Sequence, residues 1–451
     1  MNDNIVAIST AQGVGAISII RLSGTDVIDI ANSIFRGKNL KEVESHTINY
    51  GYIVYKDKII DEVLVSIMKA PKTYTMEDIV EINCHGGIAT TNKVLEIILT
   101  KNIRLAEPGE FTKRAFLNGR LDLTEAEAVM DLIESKSELS RKLAIDGLQG
   151  KVFNLIDNFR NDIKDLLSQI EVNIDYPEYN DIEVITLENI KQNTKKMKEK
   201  LKEIINESKN SKIIKDGIDT LIIGRPNVGK SSILNKLLDE DKAIVTDIPG
   251  TTRDIVEGRV LLNNIPINII DIAGIRKTSD EIEQIGVEKS LSLINKADLV
   301  IAVLNSNEEL TKEDKEILKK VKEKTLIVVL NKNDLEEKIN KKELENYNLV
   351  STNTNSYDGI KELTKEITKL FNLDKIATKD YNYLTNARQI AKAKEALNKL
   401  IEVDSALENK IPIDMVEIDL KNIFDILGEI IGKTYNDEII DNLFEKFCVG
   451  K

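Results

Sequence analysis

The run Gly224-Arg225-Pro226-Asn227-Val228-Gly229-Lys230-Ser231 constrains the fold of this chain more than any other stretch, because it follows the apolar run Thr220-Leu221-Ile222-Ile223 and precedes a helical segment. A glycine-rich loop between a strand and a helix brings backbone N–H groups close to phosphate oxygens, and the helix N-terminus adds partial positive charge. Lys230 supplies a point charge for the outer phosphates, and the Ser231 hydroxyl suits magnesium. Such a loop needs a parallel sheet beneath it. The runs Ile267-Asn268-Ile269-Ile270, Leu299-Val300-Ile301-Ala302-Val303 and Leu326-Ile327-Val328-Val329-Leu330 alternate with helical segments and predict one across residues 216–372.

Further motifs complete a nucleotide site on that sheet. Asn227, Val228, Gly229, Lys230, Ser231 and Ser232 form the phosphate cradle. Asp271-Ile272-Ala273-Gly274 follows a strand, placing an aspartate to hold magnesium through water and a glycine N–H to sense the outer phosphate. Asn331-Lys332-Asn333-Asp334 ends another strand, and the Asp334 carboxylate can accept from both the ring N–H and the exocyclic amine of guanine. Adenine lacks that donor pair, so the expected nucleotide is GTP. Between the first two motifs runs Thr246-Asp247-Ile248-Pro249-Gly250-Thr251-Thr252-Arg253-Asp254, with Thr252 as the second magnesium ligand. Ser351-Thr352-Asn353 takes the fifth guanine position, which is usually a serine–alanine pair. Ile275 stands where many such sites carry a glutamine to orient water, so another group has to do this or the chain turns over slowly.

With 451 residues the chain exceeds what one core usually serves, and two or three domains are expected. Residues 1–118 read as strands over 16–21, 59–68 and 79–83 with a helix near 90–99, an α+β domain. At Thr124 the period turns helical, with Thr124 and Glu127 predicted to form a capping box. Helices are expected over 119–215, including a lysine-rich one over 187–208, and again from 373 to 451. The lysine-rich face reads first as a solvated helix surface and second as an RNA-contacting stripe. The simplest architecture is an α/β and α multidomain chain in which a helical domain is interrupted by an inserted α/β domain.

A net charge of −13 argues against a protein that coats nucleic acid in bulk, so any RNA contact must be local or delivered by a partner. Two cysteines, Cys84 and Cys448, are too few for a disulfide framework. No run approaches the roughly 18 apolar residues of a membrane helix, and Gln12 and Arg21 interrupt the N-terminal apolar stretch, so a cytoplasmic protein with no membrane contact is expected.

The flanks of the nucleotide site carry a resemblance. Tyr74-Thr75-Met76-Glu77-Asp78-Ile79-Val80-Glu81-Ile82, then Cys84-His85-Gly86-Gly87, then the stretch from Pro108-Gly109-Glu110-Phe111 to Gly119-Arg120-Leu121-Asp122, and the ending Phe447-Cys448-Val449-Gly450-Lys451 are similar to the tRNA modification GTPase MnmE (TrmE) family. The resemblance implies a tetrahydrofolate-binding and dimerising domain over 1–118, a helical domain over 119–215 and 373–451, and an inserted Ras-like P-loop GTPase domain over 216–372. It implies folate contacts at Arg21, Glu81, Arg120 and Lys451, with 5-formyl- or 5,10-methylene-tetrahydrofolate as one-carbon donor. Arg120 stands where relatives carry lysine. The family resemblance further implies a potassium ion held by Asn227, Thr246, Ile248 and Thr251, a water-orienting Glu283 and a reactive thiol at Cys448. For Cys448 a small buried hydrophobe or tail residue is the competing reading, for Glu283 a solvated acid near a helix start, and Arg253 and Arg276 are the local alternatives for charge neutralisation. Implied partners are a second copy of the chain, the FAD-dependent MnmG (GidA) protein in a heterotetramer, and tRNA, whose wobble uridine would gain a carboxymethylaminomethyl or aminomethyl group. An alternative from another class, an rRNA-binding assembly switch of the Era or Der type, is disfavoured by the single P-loop and by the lack of a basic appendix after the nucleotide site.

Overall fold

The computed structural model describes residues 3–11, 13–175, 187–239, 258–271, 293–353, 358–378, 384–409, 411–435 and 437–451. The chain forms two compact units: Met1–Met130 with Asp146–Lys198 and Ala391–Lys451, and Asp131–Ile145 with Glu199–Ile390.

The first unit is built on seven strands, β1 (Ile5–Ile8), β2 (Ile17–Ser23), β3 (Phe35–Arg36), β4 (Thr47–Tyr55), β5 (Lys58–Met68), β6 (Ile79–His85) and β7 (Arg104–Leu105), in the order β3-β4-β5-β6-β2-β1-β7. All pairs are antiparallel except β1 with β7. Lys56 and Asp57, with φ of 47° and 62°, make the two-residue turn between β4 and β5, a conformation whose twist suits a tight hairpin. Helices Val27–Ile34 and Ile88–Leu99 cover one face, where Val27, Ile30, Ile34, Val94 and Ile98 join Ile20, Leu22 and Val65 in one core. The opposite face leaves Ile48, Tyr50 and Leu64 exposed.

The predicted capping box falls two residues earlier than the sequence suggested. Asp122 Oδ1 accepts from the backbone N–H groups of Thr124 (2.6 Å) and Glu125 (3.0 Å), while Glu125 Oε2 accepts from that of Asp122 (2.9 Å), so Asp122 and Glu125 cap helix Leu123–Ile133. The Thr124 hydroxyl, buried, donates back to Asp122 at 2.6 Å instead of capping. Beyond it, helices Lys151–Asp175 and Ile413–Ile431 pack on each other, and Ile440, Phe444 and Phe447 close against Phe116, Leu123 and Met130.

A buried ion cluster ties the start of the chain to helix Glu110–Leu117. Arg114, 1% exposed, meets Glu110 and Asp3 at 2.9 Å and both carboxylate oxygens of Glu77 at 3.1 Å. Arg104 adds a two-pronged contact to Glu110 at 2.7 and 2.8 Å. Burial pushes the Glu110 carboxyl up, but the hydrogen bonds from Arg104, the Glu107 backbone N–H and Arg114 outweigh it and hold the group below its ordinary 4.5.

In the second unit six strands, β8 (Ile218–Ile223), β9 (Gly258–Leu262), β10 (Ile265–Asp271), β11 (Leu299–Asn305), β12 (Leu326–Asn331) and β13 (Asn348–Ser351), lie in the order β13-β12-β11-β8-β10-β9. They are parallel except for the β9–β10 hairpin, which turns on Asn263 and Asn264 with φ of 52° and 63°. β11 and β12 are buried along their whole length, as strands covered on both faces are. Leu139 and Leu143, from the segment before the long helix Lys151–Asp175, pack on this sheet's core, and Lys215 reaches Asp131 at 2.5 Å.

Because the folded-state pKa of Glu110 is depressed, its contribution to stability is complete above the unfolded-state value and is lost as the pH falls through the folded one. Glu110→Gln should therefore cost about 1–3 kcal/mol near neutral pH, because Arg104 and the buried Arg114 each lose one charged partner while Arg114 keeps Glu77 and Asp3. In urea unfolding series the gap to the parent chain should narrow as the pH drops well below 4.5; a gap that does not change with pH would contradict the assignment.

Candidate functional site

The P-loop leaves β8 after Ile223 and enters helix Lys230–Asp239. Between them the chain turns through left-handed backbone at Asn227 (φ 64°) and Gly229 (φ 100°). A Cβ on Gly229 would lie 2.1 Å from Asn331 Nδ2, so only glycine fits where the loop meets the end of β12. Val228 anchors the loop in the core, whereas Asn227, Ser231 and Ser232 are exposed at its mouth. Lys230 Nζ folds back across the arch and donates to the carbonyls of Gly224 at 2.9 Å and Arg225 at 2.7 Å.

Asn331 is the joint of the site. Its Nδ2 donates to the Val228 carbonyl at 2.8 Å, and its Oδ1 accepts from the Thr352 hydroxyl at 3.1 Å. The Thr352 carbonyl accepts from the Asn333 N–H at 3.2 Å, and Ser306 N–H donates to the Asn331 carbonyl at 2.9 Å. One buried amide thus links phosphate loop, Asn331-to-Asp334 loop and the Ser351-Thr352-Asn353 segment, with Lys332 half-buried at φ 64° and Asp334 exposed. Sequence reasoning assigned Asn331 to the nucleotide but not this linking role, which only the fold brings about. It also passed over Arg225, which holds Glu308 and Asp314 at 2.8 Å each and so fastens the loop's outer side. Asp271 closes β10 in register with Ile222 on β8. Thr246, Asp247, Ile248, Pro249, Gly250, Thr251, Thr252, Arg253, Ile272, Ala273, Gly274, Ile275, Arg276 and Glu283 lie outside the described residues.

A second constellation lies in the first unit and gathers residues from the whole length of the chain. Arg21 on β2 stands in register opposite Glu81 on β6, and its Nε and Nη2 both reach Glu81 Oε1, at 2.8 and 2.7 Å. Arg21 Nη1 donates to the Gly450 carbonyl at 3.3 Å, which also accepts from the Ser9 hydroxyl at 3.1 Å. Gly450 sits at φ 93°, and the tail is fastened again where Gly109 N–H donates to the Cys448 carbonyl at 3.3 Å. Arg120 Nη1 donates to the Tyr74 carbonyl at 3.2 Å, and the Arg120 guanidinium lies 4.8 Å from the Tyr74 ring, which Arg21 approaches to 5.9 Å. Burial and the nearby Arg21 charge hold the Lys451 amine below its usual range, against the opposing pull of Cys448 and Glu81. Arg21, Glu81 and Lys451 thus meet, with Arg120 joined to them through Tyr74. Cys448 is exposed and Cys84 buried, its thiol donating to the Ser18 carbonyl at 3.4 Å. His85 pairs with Asp61 at 2.7 Å, a bond that raises its pKa, and His46 contacts the Lys72 carbonyl; neither belongs to the constellation. Among the described residues no cluster of metal-ligating side chains occurs, and no helix is long and apolar enough to cross a membrane.

A six-stranded, largely parallel sheet with a P-loop at the strand end and an Asn-Lys-X-Asp loop beside it defines a P-loop GTPase fold. The flanks settle which one. Residues 4–120 match the family model of the GTP-binding protein TrmE N-terminus, and residues 123–448 that of the MnmE helical domain. The chain is 50% identical to the tRNA modification GTPase MnmE of Ligilactobacillus salivarius over 455 residues, covering 100% of this chain and 98% of that one, and 50% identical to that of Bacillus cytotoxicus, covering 100% and 99%. Among solved structures, the G domain of the T. maritima FeoB iron transporter aligns with 34% of this chain and 97% of its own, at 28% identity and a TM-score of 0.26. The chain belongs to the tRNA modification GTPase MnmE family.

Asn331→Ala should loosen the joint that links the P-loop to the Asn331-to-Asp334 loop and the Ser351-Thr352-Asn353 segment. Removing a buried amide that serves two partners is expected to cost about 1–3 kcal/mol of stability, with a matching loss of affinity for a fluorescent GTP analogue. Unchanged affinity would show that the loops hold their positions without it.

Proposed function

We propose that this chain is a GTP-hydrolysing enzyme of tRNA modification which, with an FAD-dependent MnmG (GidA) partner, adds a carboxymethylaminomethyl or aminomethyl group to the wobble uridine of certain tRNAs. The one-carbon unit comes from 5-formyl- or 5,10-methylene-tetrahydrofolate, and GTP hydrolysis drives a conformational cycle. The observation that carries the reading is the gathering of Arg21, Glu81 and Gly450-Lys451 at one place, with Arg120 one aromatic ring away, on a chain that also carries a guanine-type P-loop site. An acid there can pair with the pterin N–H groups, and the basic groups with the glutamate carboxylates of a folate. The exposed Cys448 next to Lys451 supports its reading as a reactive thiol. The working domains are 1–118 for folate, 119–215 with 373–451 for the helical body, and 216–372 for GTP. Homodimerisation through the first domain is supported by the uncovered Ile48, Tyr50 and Leu64 on its sheet, and a cytoplasmic setting follows from the substrate.

In the nucleotide site, Lys230 and the P-loop backbone bind phosphates, Ser231 and Thr252 hold magnesium, and Asp334 reads guanine. The exposed, left-handed Asn227 supports its reading as a ligand to potassium, completed by Thr246, Ile248 and Thr251, while Glu283 orients water in place of the missing glutamine. GTP turnover should therefore be faster in potassium than in sodium at matched ionic strength and high protein concentration. Asn227→Ala should abolish the difference while leaving nucleotide binding intact; equal rates in both salts would return Arg253 and Arg276 to consideration.

Mass spectrometry of wobble nucleosides from cells lacking the protein tests the reaction itself. Loss of the modified uridine, restored by the intact gene, is the expected result. Unaltered tRNA would refute the enzyme reading.

A further inference from the structure

We infer that Tyr74 is a positioning residue whose ring holds the guanidinium groups of Arg21 and Arg120 together as one receptor for a ligand that carries carboxylates, with the buried Arg114 cluster holding the turn on which Tyr74 sits. The inference rests on the folate reading above and deepens it.

Arg21 and Lys451 share the surroundings of Glu81, which Arg21 occupies at 2.7 Å, and a third cation, Arg120, reaches this group through Tyr74. Like charges that close repel, and a long exposed side chain loses rotamer freedom when it is held in place. Arg120 is exposed, so left to itself it would extend into solvent. Tyr74 opposes this twice: its carbonyl accepts from Arg120 Nη1 at 3.2 Å, and its ring lies 4.8 Å from the guanidinium. The same ring is 5.9 Å from the guanidinium of Arg21, which also lies 5.7 Å from the Phe111 ring, so one electron-rich ring neighbours both cations.

Tyr74 itself is fixed with unusual thoroughness for a half-buried turn residue. Its hydroxyl hydrogen-bonds the Thr112 hydroxyl at 2.8 Å, and its ring packs against the core of Ile5, Ala7, Ala106 and Phe111. Asn118 Nδ2 donates to the Thr75 carbonyl at 2.7 Å, the Thr73 hydroxyl to the Glu77 carbonyl at 2.6 Å, and the Ser23 hydroxyl to Glu77 Oε2 at 2.7 Å. Glu77 in turn takes Arg114 on both oxygens. A chain of bonds therefore runs from the buried Arg114 through Glu77 to the turn that aims Tyr74.

The test is calorimetry of the full-length chain with 5-formyl-tetrahydrofolate, with the thermal unfolding profile of each variant as the control for folding. Tyr74→Leu should weaken folate binding about tenfold, whereas Tyr74→Phe, which keeps the ring and the backbone carbonyl, should stay within about threefold of the parent. In an Arg120→Ala background Tyr74→Leu should add little, because its main work there is already gone. Where Tyr74→Leu fails to give the parent's cooperative unfolding transition, Tyr74→Met is read in its place by the same criteria. Folate binding by Tyr74→Leu within twofold of the parent, or a loss that adds in full to that of Arg120→Ala, would overturn the inference while the folate reading stands. No binding by the parent chain would overturn both.

Discussion

The pairing of Arg21 with Glu81 is the contact on which the constellation in the first unit depends. It joins neighbouring strands in the middle of the sheet, β2 and β6, at a position where their register sets the two residues opposite each other. The remaining Arg21 nitrogen is left to reach the Gly450 carbonyl, so an interaction within the N-terminal sheet also seats the last residues of the chain. A guanidinium is suited to this, since its planar fork can serve a carboxylate on one edge and a carbonyl on another without losing its charge. An amine in its place could serve both only where the two acceptors lie within reach of a single nitrogen.

On the proposed reading the two sites solve the same problem of anion recognition differently. The nucleotide site uses backbone: N–H groups at a helix start, a loop that only glycine permits at position 229, and a buried amide that locks loop to loop. The second site would use side chains, and its cations are held in place by Glu81, the Tyr74 ring and the tail carbonyl. Both sites borrow rigidity from buried polar networks, Asn331 in one unit and the Arg114 cluster in the other, where an unmatched partner would be costly.

Much of this is legible in the sequence, and the illegible parts have physical causes. The buried parallel strands announce themselves as apolar runs, and the P-loop and Asn331-to-Asp334 motifs mark the strand ends. Strand β4 does not, because its binary pattern is inverted: Asn49 is buried, Gly51 points inward, and Ile48 and Tyr50 face outward. Thr124 and Glu127 fit a capping box by residue type, yet Asp122 and Glu125 fit equally well two residues earlier and hold the bonds. Arg21, Glu81, Arg120 and Lys451 came from family resemblance rather than pattern; nothing local reveals that positions 21 and 81 are register partners, or that residue 450 returns to residue 9. Thr352 reads in the sequence only as a departure from a motif, whereas in the fold its hydroxyl donates to Asn331 Oδ1.

If the tail is part of the site, removing it should separate the two functions of the chain. Deleting Cys448–Lys451 takes away the Gly450 carbonyl and the Lys451 amine, while leaving Phe447, which packs in the core of its unit. Titration of that shortened chain with 5-formyl-tetrahydrofolate and, separately, with a GTP analogue is the most direct measurement. The account predicts folate affinity reduced at least about tenfold with GTP-analogue affinity unchanged; folate binding equal to that of the full chain would contradict it.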